Sequence, residues 1–171
     1  KLNISNVIIL STSEVYGSAK YKPMDEDHPV LGQSPYSASK IGSDQMALSY
    51  FRSFNMPIKI ARPFNTFGPR QSQRAIIPTI ISQILSKNKK IKLGNIESTR
   101  DFTYVDDTCE GLISILKAQN LFGEIVNIGS NNEVSIKDTF NLINSILKTD
   151  SEIEIEKIRI RPNLSEVLNL N

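Results

Sequence analysis

Tyr36 and Lys40 stand four residues apart in Tyr36-Ser37-Ala38-Ser39-Lys40, a spacing that can do proton chemistry. On a helix both side chains lie on one face, so the ammonium can sit beside the phenol oxygen, lower its pKa and let it act as a general base near neutrality. A tyrosine anchoring a helix, with a solvated lysine four residues on, is the plainer use of the same pair. The spacing recurs at Tyr16 and Lys20, but there it spans Gly17 after a strand-like run, where the two need not face each other. The Tyr36 pair opens a helix.

A second polar group, Ser11-Thr12-Ser13-Glu14, follows the apolar run Val7 to Leu10. In parallel α/β sheets, ligands bind beyond the carboxyl ends of the strands, where these four side chains would project. A hydroxyl there can hydrogen-bond the oxygen on which Tyr36 acts, and a carboxylate can take or give a proton. The alternative is a polar turn whose hydroxyls satisfy backbone groups. A third group is basic: Arg62 and Arg70 in Arg62-Pro63-Phe64-Asn65-Thr66-Phe67-Gly68-Pro69-Arg70, then Arg74, Arg100 and Arg161. Arginine suits bidentate phosphate recognition, and these lie at strand ends or in loops. Solvation is the usual alternative.

The elements that must position these residues alternate between strand and helix. Residues 7–12 read as a strand buried on both faces, Tyr36 to Asn55 as a helix entered through Ser34-Pro35, and Ile58 to Arg62 as the next apolar strand. Ile76 to Lys87 has helical apolar spacing, and a short strand follows at Ile91 to Leu93. A helix from about Asp106 to Ala118 would be capped by Asp106, Ile125 to Ile128 is a strand, and Ser135 opens a helix to Leu147. Ile153 to Ile158 alternates like an edge strand. The fold class is α/β with a mainly parallel sheet. The apolar run begins almost at residue 1, and Ile158 to Val167 reaches no closing element, which reads as part of a longer fold.

Composition narrows the function classes. The chain has 171 residues, 39% of them hydrophobic, enough to bury a core without disulfides. A net charge of +2 gives no case for a nucleic-acid groove, and no apolar run approaches a membrane span. One cysteine, Cys109, excludes an intrachain disulfide, and the single histidine excludes a His-rich metal site. That histidine, in Glu26-Asp27-His28-Pro29, reads as part of a solvated loop.

Five motifs occur in order: Thr12-Ser13-Glu14-Val15-Tyr16-Gly17, Ser34 to Lys40, Arg62 to Arg70, Thr99-Arg100-Asp101-Phe102 and Asn127-Ile128-Gly129. Together they resemble the extended short-chain dehydrogenase/reductases that act on nucleotide sugars. Arg70 to Ile80, and Arg161-Pro162 with Ser165-Glu166-Val167, look most like the 4,6-dehydratases of UDP- or GDP-N-acetylglucosamine that begin legionaminic acid synthesis.

The resemblance implies part of a Rossmann-type parallel sheet with helices, plus most of a small C-terminal substrate-binding lobe. Residues 1–63 would be the C-terminal part of the NAD-binding domain. Residues 64–171 would be mainly the substrate lobe, with about 101–130 returning to the Rossmann sheet. An amino-terminal Rossmann half with a Gly-rich pyrophosphate turn is implied too, and the glycines here form no such array.

Carried over residue by residue, Tyr36 is the base at the sugar 4-hydroxyl, Lys40 holds the nicotinamide ribose, and Thr12 completes their set. Glu14 takes the C5 proton. Tyr36, Lys40 and Pro63 would contact NAD, while Asn65, Arg74, Arg100 and Arg161 would hold the substrate. The dTDP-glucose dehydratases carry Asp-Glu where this chain has Ser13-Glu14. The acid for water loss is then Glu14 or a water held by Ser13. That departure makes a 4-epimerase or UDP-glucuronate decarboxylase the runner-up to the dehydratase, and a non-catalytic nucleotide-sugar-binding protein the second alternative. It further implies a cytoplasmic homodimer with no nucleic-acid or membrane partner.

Overall fold

The computed structural model describes residues 4–160 and Pro162. The chain runs β1 (Val7–Leu10), a 3-10 turn (Ser13–Tyr16), α1 (Pro35–Phe54), β2 (Ile58–Pro63), β3 (Asn65–Phe67), α2 (Ile76–Leu85), β4 (Lys90–Leu93) and β5 (Thr99–Tyr104). Then follow α3 (Val105–Lys117), β6 (Ile125–Ile128), β7 (Glu133–Ser135), α4 (Ile136–Ile146), β8 (Glu152–Ile155) and a second 3-10 turn (Lys157–Arg159). The α/β class with parallel pairing is observed.

The first sheet has the order β1-β2-β6, parallel throughout, with Val7 opposite Ile58 and Ile60 opposite Ile125. Its core is Ala47 and Leu48 of α1 against Ile58 and Ile60. Alpha-1 is well specified locally: Ser34 and Ser37 cap each other's backbone N–H groups, Pro35 sits in the first turn, and Asn55 closes the helix in the left-handed conformation. Lys59 lies fully buried in the central strand. Its Nζ donates to the carbonyls of Ile115 and Leu116, each at 2.9 Å, to that of Ala118 and to Asn6, and it sits over the Phe122 ring. One ammonium thus satisfies carbonyls that the end of α3 leaves open.

The second region holds β3-β5-β7, with β3 parallel and β7 antiparallel to β5, and the parallel pair β4-β8. Ile80 and Ile84 of α2 pack with Ile91, Leu93, Ile136, Phe140 and Ile143.

Several sequence expectations need correction. Beta-1 ends at Leu10 because the chain then turns into the 3-10 segment. Alpha-3 starts at Val105 after an extended Tyr104, so Asp106 lies in the first turn and does not cap it. The edge strand stops at Ile155, where the backbone enters the second 3-10 turn. His28 is buried: the Lys20 N–H donates to its Nε2 at 3.0 Å, which leaves the proton on Nδ1 to donate to the Pro29 carbonyl at 2.9 Å. Its charged neighbours are exposed, and the imidazole packs between Tyr16 and Tyr21. Arg161 and the Ser165-Glu166-Val167 stretch lie outside the described residues. No helix among the described residues is long and apolar enough to cross a membrane.

Candidate active site

Thr12, Ser13 and Glu14 follow the carboxyl end of β1, and Lys40 of α1 reaches the same strand end. Thr12 flanks the 3-10 turn in extended conformation, and its Oγ1 accepts from the Glu14 N–H at 3.2 Å. Ser13 is buried and Glu14 half-buried. Lys40 reaches back from α1 to the same strand end, where its Nζ donates to the Leu10 carbonyl at 2.8 Å. Tyr36, one turn earlier on α1, is 50% exposed. Its face is therefore open to a ligand beside the strand terminus.

Behind this pair lies a buried ionic seam. Asp44, two turns beyond Tyr36 on α1, accepts on one oxygen from both Nε and Nη2 of Arg62, each at 3.0 Å. The Arg62 guanidinium also lies 4.9 Å from the centre of the Tyr16 ring, and the Tyr16 hydroxyl donates to Asn127 at 2.7 Å. Burial pushes the Tyr16 phenol up, keeping it a neutral donor. Arg62 is thus no phosphate ligand: its charge is spent joining the helix of Tyr36 to the turn of Glu14. Pro63, at the end of β2, pairs with Ile128 and is half-buried.

A cavity of about 380 Å³ opens from Glu14 between the two regions. Glu14, Asn65, Arg74 and Arg100 all line it, so four predicted residues from different parts of the chain converge. Lys92 and Arg159 add cationic side chains to its wall beside Arg74 and Arg100, a lining that can receive an anion. Arg159 is held by Glu156, which both it and Lys92 keep below the usual carboxylate range. Arg100 donates through Nη1 to the Thr99 carbonyl at 2.7 Å. Thr12, Tyr36, Lys40 and Pro63 stand outside that wall, and Arg70 is exposed with a positive φ of 66°.

Two residues escaped the sequence reading. Asp101 is buried and accepts from the Ser130 N–H at 2.9 Å and the Asn131 N–H at 2.8 Å, folding the loop after β6 onto β5 beside Arg100. A Cβ on Gly129 would meet Asp101 at 2.7 Å, so the glycine is what admits the carboxylate. Gln71 lines the cavity next to the basic residues, and its position one residue after Arg70 was the available signal.

Residues 2–167 match the family model described as GDP-mannose 4,6 dehydratase, and the chain belongs to that family. A human dTDP-D-glucose 4,6-dehydratase is 37% identical over 155 residues, which are 90% of this chain and 44% of the relative. A UDP-glucuronic acid 4-epimerase from Bacillus cereus, in complex with UDP-glucuronic acid and NAD, superposes with a TM-score of 0.90 at 30% identity, covering 98% of this chain and 52% of the other. A Bacillus anthracis dTDP-glucose 4,6-dehydratase with NAD gives a TM-score of 0.84 at 30% identity over 96% and 51%. The chain spans about half the length of the relatives it matches. The Rossmann-type dehydratase and epimerase fold expected from the motifs is therefore shown.

Proposed function

We propose that this chain supplies the acid-base and substrate-binding part of an NAD-dependent nucleotide-sugar 4,6-dehydratase. The observation that carries this is Glu14 opening into a cavity with Arg74 and Arg100 while Lys40, one turn after Tyr36 on α1, donates to the Leu10 carbonyl at the end of β1. Residues 1–63 are the rear of the cofactor-binding domain and 64–171 mainly the substrate lobe, with about 101–130 returning to the first sheet.

The half-exposed Tyr36 and the Lys40 ammonium at the end of β1 fit the nicotinamide-ribose end of NAD, with Pro63 beside them. The glycines of this sequence offer no pyrophosphate turn. Bound there, NAD would supply the hydride acceptor for C4 of the sugar and the hydride donor for C6. Tyr36 takes the 4-hydroxyl proton as the C4 hydride leaves, and Thr12 orients that oxygen. The resulting ketone makes the C5 proton acidic, since the carbanion is an enolate, and Glu14 removes it. Hydroxide leaves C6 as water on receiving a proton from Glu14 or from a water held by Ser13. C5 is reprotonated as C6 is reduced, giving a 4-keto-6-deoxy sugar.

Arg74, Arg100 and Arg161 neutralise the diphosphate, and Asn65 contacts the substrate. The motif pattern favours UDP- or GDP-N-acetylglucosamine, and the protein works in the cytoplasm without nucleic-acid or membrane partners. Exposed Met46, Tyr50 and Phe54 form a stripe on α1 that a second copy would cover in a homodimer. Ser13, standing where the resemblance puts an aspartate in dTDP-glucose dehydratases, is the specific feature favouring epimerisation or decarboxylation as the second reading.

Product formed in heavy water decides between them. Dehydration leaves deuterium at C5 and a mass lower by one water. An unchanged mass without C5 deuterium means epimerisation, and carbon dioxide loss from a glucuronate means decarboxylation.

A further inference from the structure

Tyr16 and Asn127 come from sequence motifs far apart in the chain, have no part in the chemistry proposed above, and are joined by one hydrogen bond. Tyr16 closes the 3-10 turn on which Glu14 stands, and it is 1% exposed. Its ring is fixed on two sides, by the Arg62 guanidinium 4.9 Å from its centre and by the His28 imidazole, edge-on at 5.4 Å. Its hydroxyl is fixed at the tip, donating to Asn127 Oδ1 at 2.7 Å. Asn127 is held in turn: its backbone N–H donates to Glu26 Oε1 at 2.7 Å, and its Nδ2 to the Met24 carbonyl at 3.4 Å. The Glu14 carboxylate, by contrast, has no hydrogen-bond or ion-pair partner among the described residues, and only its backbone N–H is tied, to Thr12. Where that carboxylate stands is therefore set by the turn beneath it.

We propose that Tyr16 is a positioning residue for the C5 proton transfer: its hydrogen bond to Asn127 pins the 3-10 turn to β6 and so fixes the Glu14 carboxylate against the substrate. This rests on the dehydratase reading above and deepens it. Tyr16 does not line the cavity, so it acts only through Glu14. Tyr36 and Lys40 are held separately, by the Asp44–Arg62 pair and by the Lys40 bond to the Leu10 carbonyl, so the hydride step does not depend on the Tyr16 hydroxyl. A base displaced by about 1 Å can lose on the order of 10²-fold in rate, which makes one anchoring bond under an otherwise untethered carboxylate matter.

The test is a single turnover of the intact, NAD-loaded protein that carries this chain, with UDP- and GDP-N-acetylglucosamine in heavy water. The rise of NADH absorbance reports the Tyr36 step, and deuterium arriving at C5 reports the Glu14 step. Tyr16→Phe keeps the ring between Arg62 and His28 and removes only the hydroxyl. It should leave the NADH rise unchanged and slow C5 deuteration about 10-fold or more, so that NADH accumulates. Asn127→Leu should give the same selective slowing, and the double variant no more than either alone, because all three remove one bond. The double variant leaves no stranded acceptor at Asn127, so it carries the same expectation if Tyr16→Phe fails to fold. C5 deuteration at the unmodified rate, equal slowing of both steps, or additive losses in the double variant would each overturn the proposal. An unmodified protein that forms no NADH with either sugar, or product without C5 deuterium, would instead sink the dehydratase reading, and this proposal with it.

Discussion

Arg62 and Arg100 sit on neighbouring parts of one small molecule, one inside the packed core and one on the wall of a cavity. In the seam between α1 and β2, the arginine is 3% exposed and folds together with the carboxylate that neutralises it. At the cavity, Arg100 shares a wall with Glu14, Arg74 and the Lys92 and Arg159 side chains that Glu156 pairs. A region whose charges are matched within the fold holds elements in place. A region that sets charged and polar side chains along a cavity is shaped for something that arrives later.

The sharpest way to break this contrast is at the seam. Arg62→Met strands Asp44 as a buried, unneutralised carboxylate and should cost about 3–5 kcal/mol of stability by denaturant titration. Arg62→Met combined with Asp44→Asn should recover most of that loss; a double variant as unstable as the single one would show that Arg62 acts mainly through Tyr16. On the ligand side, Tyr36→Phe should reduce turnover of the intact protein on the order of 10²-fold or more if Tyr36 is the general base proposed above. Its half-exposed ring predicts a melting temperature close to that of the unmodified protein, so a large thermal shift would move Tyr36 to the structural side.

Arg100→Ala should weaken nucleotide-sugar binding by about 1.5–3 kcal/mol while leaving NAD affinity unchanged, the cost of one charge-assisted hydrogen bond. Equal loss of both affinities would place Arg100 with Arg62. The smallest effect belongs to Glu133, which the Lys22 ammonium and the Thr99 hydroxyl hold below the usual carboxylate range. A lowered folded pKa stabilises above the unfolded value and is lost as pH falls through the folded one. Glu133→Gln should therefore cost under about 1 kcal/mol near neutrality, a gap that closes on acidification below the ordinary carboxylate range.

The helices were legible because their signals are local: Ser34-Pro35 before α1 and the isoleucine spacing of α2 need no partner to be read. Beta-3 and β7, three residues each, are too short to show alternation. Beta-5 is inverted, burying Asp101 and Thr103, so its pattern reads polar until the loop at Ser130 and Asn131 is seen to satisfy the carboxylate. The motifs located Glu14, Asn65, Arg74 and Arg100, whereas the seam was missed for a physical reason: Asp44 and Arg62 look solvated until α1 is laid on β2. His28 misled in the same way, since its exposed neighbours say nothing about its own burial.

Every strand ladder among the described residues closes across at least one helix: Val7 pairs with Ile58, Ile60 with Ile125, Asn65 with Phe102, Lys90 with Glu152 and Thr99 with Ser135. No hairpin offers a cheap first contact, and chain entropy must be spent before any ladder rewards it. Such a topology assembles slowly, in the millisecond-to-second range or beyond, with the backbone edge of β4 unpaired until β8 has been synthesised. On the ribosome, Ile91 and Leu93 can pack on Ile80 and Ile84 as soon as both are out, while the ladder from Lys90 to Leu93 waits for β8.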